Sequence, residues 1–187
     1  MLFQTVPGTV LPGAQFPGGV AEVFEGMLRV AGGLSLSQVC AITGLEPSTV
    51  QNWVKRGWVA NPQEKKYRQR QLFRILILNA LRDAMQLEQI VRLLAYLNGS
   101  VEDHRDDIIC ESRLFEYLCR DLEGLKECGE LTDQAVERTV KRVSADYTGD
   151  PAWRQRLEKG LAVMVWTCAA ALLRKKGEGQ CRALLEE

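Results

Sequence analysis

The chain has 187 residues, of which 24 are Lys or Arg and 24 are Asp or Glu, so its formal net charge is zero. Hydrophobic residues make up 46% and charged residues 26%, as in ordinary globular domains, which excludes a disordered or fibrous chain. A net charge of zero also argues against a nucleic-acid partner, provided that the charge is evenly spread along the chain.

The first 33 residues predict a Pro/Gly-rich arm followed by a short helix over 20–31. Seven prolines and glycines within 1–19 favour irregular structure. They carry no Lys or Arg, so no signal peptide is visible and a cytoplasmic location is expected. The longest apolar stretch, 160–173, is too short to span a bilayer.

Residues 34–98 predict two short helices, a basic turn and two longer helices. Ser35 or Ser37 offers an N-cap, Gly44 breaks the first helix, Pro47 starts the second and Gly57 ends it. The inward residues of the second helix should be Val50, Trp53 and Val54. Residues 58–68 predict a small β-hairpin or wing, and helices are expected from about 69 to 81 and 87 to 97.

Residues 99–187 predict an all-α domain. Its expected helices run from about 104 to 127, from Thr132 through Val143, and from Pro151 to Lys176. A heptad seam in the first of these is interrupted by Glu111, so an ordinary amphipathic helix is favoured over a coiled coil.

No feature of the sequence favours an enzyme. The six cysteines form no C-x-x-C pair and predict free thiols, and the only histidine is His104. No nucleophile–base pair, paired carboxylate or phosphate-binding glycine loop stands out. We therefore expect no catalytic residues, no metal site and no cofactor.

The outer face of the second short helix carries the functional signal. Helical spacing turns six polar or cationic side chains outward, and none of them is acidic: Ser48, Thr49, Gln51, Asn52, Lys55 and Arg56. Asn and Gln side chains can pair with adenine in the major groove, while hydroxyl and cationic groups reach phosphates. The pattern predicts a helix-turn-helix followed by a wing.

The sequence GLEPSTVQNWVKRGWV at 44–59 resembles the recognition helix of MerR-type winged-helix regulators, and KKY at 65–67 falls at their wing motif. AMQLEQI at 84–90 is similar to a further segment of that family. TVQNWVKRG with NPQEKKY is similar, more narrowly, to an uncharacterised bacterial family of MerR-like proteins, a domain of unknown function.

The resemblance implies a mainly α fold, with a MerR-like winged helix-turn-helix domain over 34–98 and an all-α domain over 99–187 for dimerisation or effector sensing. It implies DNA contacts by the outer face of the second helix, and phosphate contacts by the residues that follow: Lys65, Lys66, Arg68 and Arg70. Tyr67 would anchor the wing. Glu46 departs from the usual Ser or Thr cap, and Lys65 replaces the wing Arg, which loses a bidentate fork.

The charge is unevenly spread along the chain, so the net charge of zero does not argue against a nucleic-acid partner. Residues 34–98 hold nine bases and four acids, a net charge of +5, while 99–187 carry −4 and 1–33 carry −1. Seven of the nine bases lie between Lys55 and Arg74, opposed there only by Glu64. A local basic cluster is typical of a surface that contacts phosphates.

Two hypotheses follow. The first is a sequence-specific transcriptional regulator that binds double-stranded DNA as a homodimer, with an effector still to be identified. The second is a winged-helix adaptor that binds proteins and not DNA, which the acidic 99–187 segment and Glu46 favour.

Overall fold

The structure is a computed structural model that describes residues 5–13, 19–99, 101 and 107–186. These residues form eight α-helices and a two-stranded antiparallel sheet, which confirms the mainly helical class. The helices are α1 (Val20–Ala31), α2 (Leu36–Thr43), α3 (Pro47–Lys55), α4 (Gln69–Leu81), α5 (Leu87–Asn98), α6 (Glu111–Cys128), α7 (Asp133–Val143) and α8 (Pro151–Leu185). The strands are β1 (Leu34–Ser35) and β2 (Lys66–Tyr67), and a short 3-10 helix spans Ser144–Asp146.

Local side-chain chemistry sets several helix starts. The Ser35 hydroxyl accepts the Gln38 N–H at 3.3 Å, and the Gln38 side chain accepts the Ser35 N–H at 2.8 Å, which forms a capping box at α2. Thr132 accepts the Ala135 N–H at α7, and Asp150 accepts the Ala152 N–H at α8. Each cap satisfies an N–H group that has no partner within its helix.

Helix α4 lies at the centre of the core. Its residues from Gln71 to Leu78 are all buried, and it contacts α2, α5, α6 and α8. The rings of Phe24, Phe73 and Phe115 join α1, α4 and α6, with centroids 5.5 to 6.5 Å apart. The buried core is therefore continuous through all three parts of the chain that the sequence distinguishes.

The described part of the N-terminal arm, residues 5–13, packs onto α2 and α4. The Val10 N–H donates to the carbonyl of Ile42 at 3.0 Å, and the Asn79 amide donates to the carbonyl of Gly8 at 2.9 Å. Gly8 has a φ of 70°, and a side chain there would collide with the backbone of Leu76. The remainder of the arm, 1–4 and 14–18, lies outside the described residues.

The segment 58–68, for which a small β-hairpin or wing is predicted, forms only a two-residue antiparallel turn, and its strand pairs elsewhere. Within this fully described segment, β2 pairs with β1, with Leu34 opposite Tyr67, and no strand forms at 58–60. A tight turn joins Gln63 to Lys66 through reciprocal backbone hydrogen bonds of 2.8 and 3.0 Å. The strand partner comes from more than 30 residues upstream, which a local hairpin pattern does not reveal.

Two helix bounds also differ from the prediction. Helix α6 begins at Glu111, and residues 107–110 before it are non-helical; in this segment the carbonyl of Ile108 accepts a hydrogen bond of 2.7 Å from the hydroxyl of Tyr147. The predicted start near His104 lies outside the described residues. Helix α8 continues to Leu185 through Gly177 and Gly179, and an Arg174–Glu178 ion pair of 3.2 Å supports this extension.

All six cysteines are free thiols, and Cys168 is the one that is buried. Among the described residues, no helix combines the length and the apolar character needed to cross a membrane.

Candidate nucleic-acid interface

Helices α2 and α3 are held together by the turn at residues 44–46. Gly44 adopts a left-handed conformation with a φ of 69° and ends α2. The Thr43 hydroxyl donates to the carbonyl of Val39 at 2.8 Å and accepts the Leu45 N–H at 3.2 Å. These bonds satisfy the buried backbone of the turn and fix the direction in which α3 leaves it.

The inner face of α3 is buried through Val50 and Trp53, which are 0% and 1% exposed, and Val54 is half-buried. The opposite face therefore points away from the core. Thr49 is half-buried on it, and the other predicted residues are exposed: Ser48, Gln51, Asn52, Lys55 and Arg56. This face presents hydroxyl, amide and cationic groups with no acid from Pro47 to Arg56.

The two ends of α3 differ in their partners. Glu46 occupies the N-cap position without a side-chain cap bond, as expected from its departure from Ser or Thr. At the other end, Arg56 lies over the Trp58 ring at 4.9 Å and 3.3 Å from the carboxylate of Glu88. Lys55 makes no ion pair within the part of the chain that the structure describes. The free charge on α3 is therefore that of Lys55.

The segment 61–68, which we call the basic loop, contains four of the predicted site residues. Lys65 and Arg68 are exposed and make no ion pair with any described residue. The Lys66 ammonium donates a hydrogen bond of 2.6 Å to the carbonyl of Ala31 and so satisfies a free carbonyl at the C-terminal end of α1. Tyr67 is 3% exposed, and burial raises its pKa, so its side chain anchors the loop and does not face a ligand.

Gln71 closes the base of the basic loop. Its amide donates to the carbonyl of Asn61 at 3.0 Å and accepts the Arg68 N–H at 2.9 Å. One buried side chain thereby ties the first and the last residue of the loop to α4. The sequence analysis did not single out Gln71, since glutamine at a helix start is common.

Two arginines of the predicted basic cluster are held by carboxylates of the same chain. Arg70 lies 2.6 Å from Asp107 and 3.6 Å from Glu111. Arg74, whose side chain is 4% exposed, lies 3.6 Å from Glu111 and donates to the carbonyl of Trp58 at 2.6 Å. Burial lowers the pKa of Arg74, and the carboxylates of Glu111 and Asp107 oppose this effect.

These contacts correct the predicted basic surface. Of the seven bases between 55 and 74, Arg74 is buried, while Arg56, Lys66 and Arg70 have partners in the chain. The sequence analysis missed the acids that neutralise them, Glu88, Asp107 and Glu111. The interruption of the heptad seam at Glu111 is the one signal that could have indicated a buried partner for an arginine.

Comparison with known proteins relates part of the chain to an uncharacterised family. Residues 32–118 match the family model described as a domain of unknown function, DUF1836. The chain is also similar to the uncharacterized protein YkrK of Bacillus subtilis strain 168, with 28% identity over 134 residues. The alignment covers 64% of this chain and 57% of YkrK, so the chain spans little more than half of that relative.

No solved structure matches the chain significantly. The matched residues 32–118 contain α2, α3, the basic loop, α4 and α5, together with the first part of α6. This agrees with the expected similarity to a domain of unknown function. The relation to MerR-type regulators stays a prediction.

Proposed function

We propose that the protein is a cytoplasmic, sequence-specific DNA-binding regulator of transcription, of the MerR-like winged helix-turn-helix type. The outer face of α3 would enter the major groove, and Lys65 and Arg68 would contact flanking phosphates. The observation that carries the proposal is the exposed face of α3, which presents two amides and a lysine and no acid. The opposite face of the helix is buried through the side chains of Val50 and Trp53.

Fluorescence anisotropy of the purified protein with fragments of its own genome tests this proposal. We expect binding that weakens as salt is raised, because cations on the protein release counterions from the phosphates. Asn52→Ala should relax the preference for one sequence, and Lys65→Ala should weaken binding to all sequences alike. Absence of binding at about 50 mM salt, or affinity that ignores salt, would contradict DNA binding.

We further propose that the regulator acts as a homodimer joined through the helical part of the chain. Residues 174–185 of α8 are all exposed, and Leu173 and Leu184 lie on one face of the helix with 52% and 71% exposure. A dimer would present two α3 helices to one DNA duplex and so raise affinity. Sedimentation equilibrium of the full chain and of Leu173→Glu measures this, since the substitution should yield monomers.

A protein-binding adaptor is the second candidate. The pairing of Arg56, Arg70 and Arg74 with acids of the same chain favours it, because this pairing leaves fewer cations for phosphates than the sequence suggests. A partner protein captured at a fixed stoichiometry, after nuclease treatment and at high salt, would support the adaptor. If the reversals Lys55→Glu and Arg68→Glu abolished that capture while DNA binding stayed intact, the outer face of α3 would be a protein interface.

A further inference from the structure

Helix α8 carries a row of residues, which we call the α8 seam, on the side that faces away from the core. Its members are spaced alternately by three and four positions, which is typical of a helix that packs along another helix. They are Val163, Trp166, Ala170, Leu173, Gly177, Gln180 and Leu184. Three heptads of helix are about 30 Å long, so the seam continues from the packed part of α8 into the exposed residues 174–185, the α8 extension.

No described residue of the chain covers the α8 seam. Trp166 is half-buried and the other members are exposed, with Val163, Leu173 and Leu184 at 42%, 52% and 71%. Large apolar side chains exposed in one regular row are typical of an interaction surface. An exposed helical segment of this length with two glycines is also only marginally stable in water without a partner. Both observations indicate that the seam packs against another molecule.

The α8 seam is complementary in size to a second copy of itself that runs in the opposite direction. With a two-fold axis between Ala170 and Leu173, Ala170 of each copy lies beside Leu173 of the other copy. The next layer on either side pairs Trp166 with Gly177 of the other copy. Each of these layers combines a large side chain with a small residue, as close packing requires.

A parallel pair would pack poorly by comparison, because identical residues would share each layer. Two Trp166 side chains would crowd one layer, while two Gly177 residues would leave a gap in another. A parallel pair would also bring Arg174 and Lys176 level with the same cations of the other copy, which repel them. The sequence of the seam therefore favours the antiparallel direction.

A groove of about 360 Å³ between α7 and α8 lies along the path of the second copy. The same axis sets the α8 extension of one copy beside residues 158–169 of the other, and Trp166 and Ala162 line the groove together with Val136 and Val140 of α7. The lining of the groove contains three acids and two bases, whereas the extension contains four bases and one acid. The groove and the extension thus have net charges of opposite sign, which favours a second copy of the chain as the occupant.

We propose that two copies of the chain pair antiparallel along the α8 seam, and that each α8 extension lies along the α7–α8 groove of the other copy. This inference rests on the homodimer proposed above and specifies its direction and its contacts. It makes no use of α3, so the binding of DNA and the pairing of α8 are measured separately.

Leucine substitutions at the two glycines of the extension test the direction of pairing. Within one chain, no described atom lies within 4 Å of a side-chain carbon added at Gly177 or Gly179, so both variants should fold. In the antiparallel pair Gly177→Leu would crowd Trp166 of the other copy, and sedimentation equilibrium of the full chain should show a dimer about 10-fold weaker than the parent. Gly179→Leu, on the opposite side of the helix, is the matched control and should dimerise at least as tightly as the parent. A Gly177→Leu dimer as tight as that of Gly179→Leu, or tighter, would overturn the antiparallel pairing.

A distance between spin labels measures the geometry directly. When Cys110 and Cys128 are changed to serine, Cys181 is the one exposed thiol among the described residues, and it lies on the extension. Electron paramagnetic resonance of the labelled dimer should give a separation of about 30 Å for the antiparallel pair, against about 10 Å for a parallel pair. A separation well away from 30 Å would overturn the antiparallel pairing alone. A parent chain that sediments as a monomer would overturn both the pairing and the proposed homodimer, and a different protein would then cover the seam.

Discussion

The outer face of α3 and the base of the basic loop each contain two cations, Lys55 and Arg56 in the first and Arg70 and Arg74 in the second, yet their surroundings differ. On α3, Gln51, Asn52 and Lys55 are exposed, and Lys55 makes no ion pair within the described residues. At the base of the loop, Arg70 and Arg74 are held by Asp107 and Glu111. Of the two cations on α3, Lys55 therefore remains free while Arg56 pairs with Glu88, whereas both arginines at the base of the loop are bound to carboxylates of the same chain.

The difference arises from where the acids lie along the chain. Glu111 begins α6 and Asp107 lies four residues before it, and both are more than 30 residues after Arg70 and Arg74. Packing of α6 against α4 brings the carboxylates to the arginines. An exposed ion pair stabilises a protein by less than 1 kcal/mol as a rule, whereas loss of one partner from a buried pair costs about 3–5 kcal/mol. The base of the loop should therefore matter to stability more than to ligand contact.

The largest expected effect is that of Arg74→Met. Methionine fills much of the volume but leaves the buried Glu111 carboxylate with Arg70 as its remaining guanidinium partner, so we expect a loss of about 3 kcal/mol in the free energy of unfolding. Urea denaturation measures it. The double variant Arg74→Met with Glu111→Leu should recover most of the loss, and Lys65→Ala, at an exposed position, should change stability little. A loss below about 1 kcal/mol for the single variant would mean that the pair is solvated.

Helix α6 carries a second buried carboxylate, that of Asp121, which can be compared with that of Glu111. Asp121 is fully buried, and neither of its carboxylate oxygens makes a hydrogen bond with any described residue. Burial raises its pKa from 3.8 to about 8, and the charges of Arg120 and Arg142 oppose this only in part. Asp121 therefore lacks the compensation that Glu111 receives from Arg70 and Arg74.

This difference predicts a dependence of stability on pH. Between the two pKa values the folded protein keeps a proton that the unfolded chain releases, so the free energy of unfolding falls as pH rises from about 4 to about 8. Asp121→Asn should remove this decline and be more stable than the parent by about 2 kcal/mol at alkaline pH. Thermal melts at pH 5 and pH 9 measure it, with Glu123→Gln as an exposed control. A variant that kept the parent's pH slope would show that Asp121 is not its source.

The features that the sequence predicts correctly are those with local causes. Ser35, Pro47, Thr132 and Asp150 each begin a helix because the capping chemistry lies within three residues. The burial of Val50 and Trp53 follows in the same way from helical spacing, and so does the exposure of the opposite face of α3.

The features that the sequence did not predict depend on distant contacts. The partner of β2 is β1, which precedes α2 and α3 in the chain, and the non-helical segment before α6 accepts a hydrogen bond from the distant Tyr147. The pairing of Arg56, Arg70 and Arg74 likewise depends on acids that lie elsewhere in the chain. The extension of α8 through two glycines has a different reason, because the cost of about 1 kcal/mol for each glycine is not enough to end a long helix.

Gln71 supplies a smaller test of the base of the loop. Gln71→Leu keeps the volume but leaves the carbonyl of Asn61 and the N–H of Arg68 without their partner, so a loss of about 1.5 kcal/mol is expected. Hydrogen exchange should show faster exchange of the Arg68 amide, with little change at α3. Gln134→Leu, at an exposed position on α7, is the control. Equal exchange rates in the variant and the parent would show that Gln71 does not hold the loop.

The smallest expected effect is on the affinity for DNA, where a cation of α3 is compared with a cation at the base of the basic loop. Lys55→Ala should lower DNA affinity a few-fold and reduce the slope of log affinity against log salt by about 1, because one phosphate contact is lost. Arg70→Ala should change the slope far less, since Asp107 and Glu111 already balance its charge. Lys126→Ala, an exposed site on α6, should leave the slope unchanged. If Arg70→Ala altered the slope as much as Lys55→Ala, DNA would have displaced the two carboxylates, and the base of the loop would belong to the binding surface after all.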